Sequence, residues 1–326
     1  MRPVASLSLD LDNRWSYLKI HGDAAWESYP SYLDVVVPHV LDVLSAQGLR
    51  ITVFVVGQDA AFASNREPLR ALAEAGHEIG NHSFRHEPWL HRYSEAELDD
   101  ELARAEEAIE AATGVLPRGF RGPGYSLSTT TLRVLARRGY EYDASTLPTY
   151  IGPLARAFYF RSAQLSEEQR RERRYLFGTA RDGRRPVRPY HWQVDGRRLL
   201  EIPVTTMPVL KVPIHVSYLL FLATYAPWAA RAYLGAALGA CRLARVGPSL
   251  LLHPLDFVGT EEAPDLSFLP GMAIPTSRKL ELVGGYLARF RDRFDVRPVG
   301  EHAAALRARP DLAVRAPDFP ADGGAP

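Results

Sequence analysis

What most limits the folds open to this chain is the alternation, from end to end, of short apolar runs with helical stripes. Residues 6–12 alternate strictly, sending Leu7, Leu9 and Leu11 to one face and Ser6, Ser8, Asp10 and Asp12 to the other. Residues 33–44 then carry a helical stripe of Leu33, Val36, Val37, Val40, Leu41 and Leu44, stopped by Gly48. Residues 50–56 read as a buried strand, 67–75 as a short helix ended by Gly76, and 77–79 as a strand. Ser94 and Glu97 form a capping box that opens a helix with Leu98, Leu102, Ala105, Ile109 and Ala112 on one face, up to Gly114. Residues 119–121, 140–145, 199–204 and 249–253 complete the strands, with a helix at 128–138. Strands alternating with helices predict a parallel sheet, and their number is compatible with a barrel.

Two places in this pattern carry chemistry. Asp10 and Asp12 share a face at the C-terminal end of the first strand, where active sites of parallel α/β proteins collect. Acids in an otherwise apolar strand are costly unless paired or ligating, although Asp12 could instead cap the next turn, which suits Asn13. His82 and His86 lie four residues apart, so on a helical turn they would share a face and could reach one ion. Two histidines alone are as well explained by the surface. With Asp12 they make an Asp-His-His set that leaves positions open for water and substrate.

At these residues the chain resembles the polysaccharide deacetylases, also called the NodB homology domain or carbohydrate esterase family 4. The family's His-Ser/Thr-x-x-His motif matches His82-Ser83-Phe84-Arg85-His86; its Arg-x-Pro-Gly motif matches Arg121-Gly122-Pro123-Gly124-Tyr125. Its late apolar-His motif matches Leu251-Leu252-His253-Pro254, and residues 139–143 match a Gly-Tyr-x-Tyr-Asp pattern. The usual adjacent Asp-Asp pair is here Asp10-Leu11-Asp12, the spacing of a divergent branch. The resemblance implies a distorted (β/α)7 barrel in a catalytic domain over residues 1–302, with insertions at about 150–198 and 212–244. It implies a divalent metal on Asp12, His82 and His86, Asp10 as base, Arg121 paired with Asp10, and the Tyr125 backbone N–H as oxyanion donor. His253 is the expected general acid, oriented by Asp256 or Asp143. Such a ligand set suits zinc, and also cobalt, nickel or iron.

Bulk properties narrow the partners. With 46% hydrophobic residues and a net charge of +1, nothing global points to nucleic acid. The single cysteine, Cys241, excludes an internal disulfide framework and agrees with a reducing compartment. Residues 1–5 contain no apolar signal core, so the expected location is cytoplasmic, with the inner face of the membrane as a variant, which favours a small or membrane-linked precursor as substrate.

Residues 14–30 hold Trp15, Tyr17, Trp26 and Tyr29 without a period, and read as a loop whose aromatics either stack on a sugar or pack beneath the domain. Residues 161–188 hold nine arginines against four acids, either a solvated face or an anion-binding patch. Residues 212–244 have only Arg231 and Arg242 as formal charges, and Pro227 and Arg231 break any transmembrane span. They read as a buried helical pair, an apolar lid or a membrane-resting surface, so peripheral membrane contact is expected through 161–188 and 212–244. Residues 303–326, rich in Ala, Pro, Asp and Gly, are expected to be a disordered tail.

The expected function is metal-dependent removal of an acyl group, N-acetyl first, from an amino sugar or sugar conjugate, with a lipid-linked acceptor as a variant. Two alternatives are hydrolysis of a non-sugar amide such as a cyclic ureide, and a catalytically silent carbohydrate-binding protein on the same fold.

Overall fold

The computed structural model describes residues 2–154, 181–307 and 309–319. The chain opens with β1 (Val4–Asp10), α1 (Arg14–His21) and α2 (Leu33–Gln47), followed by β2 (Thr52–Val55), α3 (Gly57–Ala61) and α4 (Arg66–Glu74). Next come β3 (Glu78–Asn81), α5 (Glu95–Thr113), β4 (Gly119–Phe120), α6 (Thr129–Arg138) and β5 (Tyr142–Asp143). A hairpin of β6 (Tyr190–Val194) and β7 (Arg197–Glu201) precedes α7 (Val216–Tyr225) and α8 (Pro227–Leu243). The chain finishes with β8 (Ser249–Leu252), α9 (Thr276–Arg293), β9 (Asp295–Arg297), α10 (Val299–Arg307) and β10 (Val314–Arg315).

The strands lie in the order β10-β6-β7-β5-β4-β3-β2-β1-β8, with β9 also paired to β1. From β7 through β8 the seven neighbours β7, β5, β4, β3, β2, β1 and β8 pair in parallel. The row bends back on itself: Thr205, just past β7, donates its N–H to the Ser249 carbonyl at 2.9 Å, and Ser249 donates its N–H to Thr205 Oγ1 at 2.7 Å. This is the distorted (β/α)7 barrel expected from the resemblance.

Local rules explain the elements. Gly48, Gly114 and Gly139 end α2, α5 and α6 in the left-handed conformation. The Ser94–Glu97 capping box forms as predicted. Leu7, Leu9 and Leu11 join the main apolar cluster with the helices outside, whereas Ser8 and Asp10 turn inward to bind Arg121.

Three expectations fail. Residues 14–21 are a helix and not a loop, capped by Asn13 Oδ1 and ended by Gly22, and Trp15 is buried, the packed alternative of the two left open. The β6 strand was missed although Asp195-Gly196, at φ 45° and 79°, is the two-residue hairpin signal between Val194 and Arg197. Residues 303–319 are not a disordered tail: α10 runs to Arg307, β10 pairs with β6, and Phe319 packs against Trp192 under the Arg185 guanidinium. Most of the arginine-rich segment, residues 155–180, lies outside the described residues, as do residues 320–326.

Candidate active site

Every expected site residue lies at or just beyond the C-terminal end of a parallel strand. Asp10 ends β1 and Asp12 follows it by two; His82 follows β3, Arg121 follows β4 and His253 follows β8.

His82 and His86 meet, but not on a helix. The segment after β3 is a loop, with Ser83 at φ 63° and His86 at φ 55°. Short polar side chains hold it: Asn81 Oδ1 accepts from the Ser83 N–H, and Ser83 Oγ accepts from the His86 N–H. Fully buried Glu101 on α5 accepts the N–H groups of Phe84 and Arg85 on one oxygen and the Arg85 guanidinium on the other.

Asp12 Oδ1 lies 3.3 Å from His82 Nε2 and 2.9 Å from His86 Nε2. Neither contact has hydrogen-bond direction, so Asp12 Oδ1 and His86 Nε2 are buried atoms without a hydrogen-bond partner. Three ligand atoms within 4.8 Å of one another that leave their lone pairs unspent are what a cation needs, and the residues present fit a divalent ion. His82 Nδ1 meets the Arg121 carbonyl at 2.7 Å, the outer contact that fixes a ligating imidazole. Burial pushes the Asp12 carboxyl up, but His86 and His82 outweigh it and hold the group well below the ordinary carboxylate range.

Arg121 is fully buried, stacked on the Phe54 ring at 4.4 Å. It donates to Asp10 Oδ1 and Ser8 Oγ at 2.7 Å and to the Ala144 carbonyl at 2.9 Å. Asp10 is therefore fixed in direction. The turn after Arg121 needs its glycine, because a Cβ at Gly122 would lie 2.1 Å from the Ser126 carbonyl oxygen. Within it Gly124 and Tyr125 are both left-handed, at φ 57° and 62°. The Tyr125 N–H donates to the Gly122 carbonyl at 2.9 Å, which corrects the expectation of a free oxyanion donor there. Its phenol instead reaches His215 Nε2 at 3.3 Å.

His253 is oriented by Asp256, through a residue that the sequence reading missed. Ser217 Oγ donates to Asp256 Oδ1 at 2.7 Å and lies 3.2 Å from His253 Nδ1. With the hydroxyl proton given to Asp256, Ser217 Oγ is free to accept from a His253 Nδ1–H, which fixes the ring and leaves Nε2 as its other nitrogen. Asp256 Oδ2 also accepts the His253 N–H. Asp143 has another task. It is raised well above the usual carboxylate range by burial first and Glu201 next, and it accepts from Ser145, whose oxygen in turn holds the Gly122 N–H.

Ser217 and His215 come from α7 and the residue before it, inside the 212–244 insertion. The available signal was two polar residues inside a long apolar stretch. Burial, with the His253 and Arg121 charges, pushes His215 down to about 3, so it is neutral and accepts the Tyr125 hydroxyl. Tyr17 was also missed as a site group: its hydroxyl is buried without a hydrogen-bond partner, and burial with the Asp12 charge keeps it protonated.

Residues 24–142 match the family model described as polysaccharide deacetylase. The matched stretch holds His82, His86 and Arg121; the barrel brings Asp10, Asp12 and His253 to them from outside it. A peptidoglycan deacetylase of Helicobacter pylori is 30% identical over 114 residues, 35% of this chain and 38% of that protein. A chitooligosaccharide deacetylase of Bradyrhizobium is 37% identical over 103 residues, 31% of this chain and 46% of that protein. The chain thus spans less than half the length of the curated relatives it matches. A solved Mycobacterium smegmatis structure described as a polysaccharide deacetylase shares the fold over 98% of this chain and 94% of its own, with a TM-score of 0.64 and 22% identity.

Proposed function

We propose that the protein is a metal-dependent hydrolase that removes an N-acetyl group from an amino sugar. The observation that carries this is the meeting of three ligand atoms, two of them without hydrogen-bond partners, beside an arginine-held carboxylate and an acid-held imidazole. Two of the curated relatives are described as a peptidoglycan deacetylase and a chitooligosaccharide deacetylase, which supports the same substrate class.

Asp12, His82 and His86 would hold the ion, for which zinc suits the donor set best. When bound, it supplies Lewis acidity at the acyl carbonyl and at water. Asp10, fixed by Arg121, takes a proton from the attacking water. His253 gives a proton from Nε2 to the leaving nitrogen while Ser217 and Asp256 hold its far side. Tyr17 offers a buried hydroxyl donor next to Asp12. In this reading the sugar is joined to a lipid, which the exposed apolar side of α7 supports.

The test is metal content by mass spectrometry on wild type and on a His82→Ala, His86→Ala double variant, with acetate release from a panel of N-acetylated sugars. About one divalent ion per chain, lost in the variant together with turnover, is expected. A protein that binds no metal even after reconstitution sinks the reading.

A further inference from the structure

The α7 helix has two faces with different partners. Its N-terminal end lies on the catalytic groups through His215 and Ser217, and Leu219, Leu220 and Ala223 are buried. At positions i, i+3 and i+7 it presents Tyr218, Phe221 and Tyr225 to solvent, and Trp228 opens α8 at 72% exposure. Tyr218 stacks on His215 at 5.2 Å, so this outward stripe starts at the rim of the site. The hairpin that leads into α7 exposes Val209 and Leu210 at 89% and 66%, with Val209, a β-branched residue, held at φ 72°.

Such exposure of large apolar groups is costly in water. Between Glu201 and Asp256 the sequence contains no acid; of its four bases, Lys211 spends its amine on the Gly183 and Arg185 carbonyls, and Arg242 and Arg245 lie at the far end of α8, which leaves Arg231 beside the stripe. Arg231 is exposed one turn after Trp228. Aromatic rings with a polar tip, aliphatic groups on a finger and an exposed arginine in an acid-free stretch of chain are the chemistry of a surface that rests in the headgroup layer of an anionic bilayer. Among the described residues no helix is long and apolar enough to cross a membrane.

We propose that the exposed side of α7, the start of α8 and the 207–212 hairpin form a docking face for an anionic lipid bilayer, with the active-site rim at the membrane surface. The inference stands on this surface and not on the assigned chemistry, so it is tested without substrate.

The experiment is co-sedimentation of the full chain with vesicles of phosphatidylglycerol mixed with phosphatidylcholine, against vesicles of phosphatidylcholine alone. Wild type is expected to partition to the anionic vesicles, less so as salt rises. A Phe221→Glu, Trp228→Glu variant, exposed at both sites, should keep its melting temperature and its metal content while partitioning drops by about tenfold or more. No wild-type partitioning, or partitioning equal in the variant, overturns the proposal. So does a wild-type dimer in analytical ultracentrifugation that becomes monomeric in the variant without vesicle binding, which gives the face to a second copy.

Discussion

The floor and the roof of the site are built by different means. On the floor, Asp10, Asp12, His82, His86 and Arg121 follow the ends of β1, β3 and β4, where parallel pairing fixes the backbone and buried polar contacts fix the side chains. The roof is a helix set down on apolar Val216, Leu219, Leu220 and Ala223, and it meets the site through two polar residues, His215 and Ser217. In the proposed mechanism, replacing a floor residue removes a metal ligand, the base or the arginine that fixes it, whereas replacing a roof residue removes an orientation. His253 stands between them: its backbone comes from β8 and its ring direction from α7.

That contrast orders the expected effects. His253→Ala should lower kcat by about 10²–10⁴-fold, the usual worth of a general acid, with metal content unchanged. Full turnover in that variant would remove His253 from the mechanism. Ser217→Ala should lower kcat by about tenfold, within the range of losing an outer-shell partner, at constant KM, and Ser217→Thr should restore most of it. Equal loss in both variants would mean that α7 acts by packing and not through the hydroxyl.

Beneath the floor, Asp59 of α3 accepts from Asn13 Nδ2 at 2.7 Å and from Trp15 Nε1 at 2.8 Å, and the Trp15 ring meets His86 edge-on at 6.3 Å. Burial drives Asp59 up to about 7, with its two donors opposing and the Asp12 charge adding to the rise. A carboxyl raised in the folded state contributes stability that is complete below its ordinary value near 3.8 and is lost as pH rises through about 7. Asp59→Asn keeps both acceptor contacts without this dependence. Relative to wild type it should gain stability between about pH 4 and pH 7, by a few kcal/mol at most, on the order of 1.4 kcal/mol per pKa unit. Parallel denaturation curves at pH 5 and pH 8 read this directly, and a pH-independent difference would contradict it.

Much of the floor was legible in the sequence. The period-two pattern of residues 6–12 put Asp10 and Asp12 at a strand end, and the motifs at 82–86, 121–125 and 251–254 named the groups that meet them. Helix stops at Gly48, Gly114 and Gly139 were equally plain, because a left-handed terminus is a local requirement. The helix at 14–21 was not, since it is short and weakly patterned and is held by Asn13 and by burial of Trp15 against Asp59. The histidine spacing was read as helical turn geometry, but Asn81, Ser83 and Glu101 hold a loop in that shape through hydrogen bonds.

What the sequence determined by itself is therefore whatever depends on near neighbours along the chain: strand and helix periods, caps, and the residue types of the catalytic set. Only the tertiary structure decided which distant groups complete that set. Ser217 reaches His253 across 36 residues, Arg121 reaches Asp10 across 111, and Tyr125 spends its N–H in a turn while its phenol finds His215. The reason is physical: a period records which side of an element is buried, but a side-chain hydrogen bond between elements depends on how barrel strands and an inserted helix settle against one another, which no local pattern encodes.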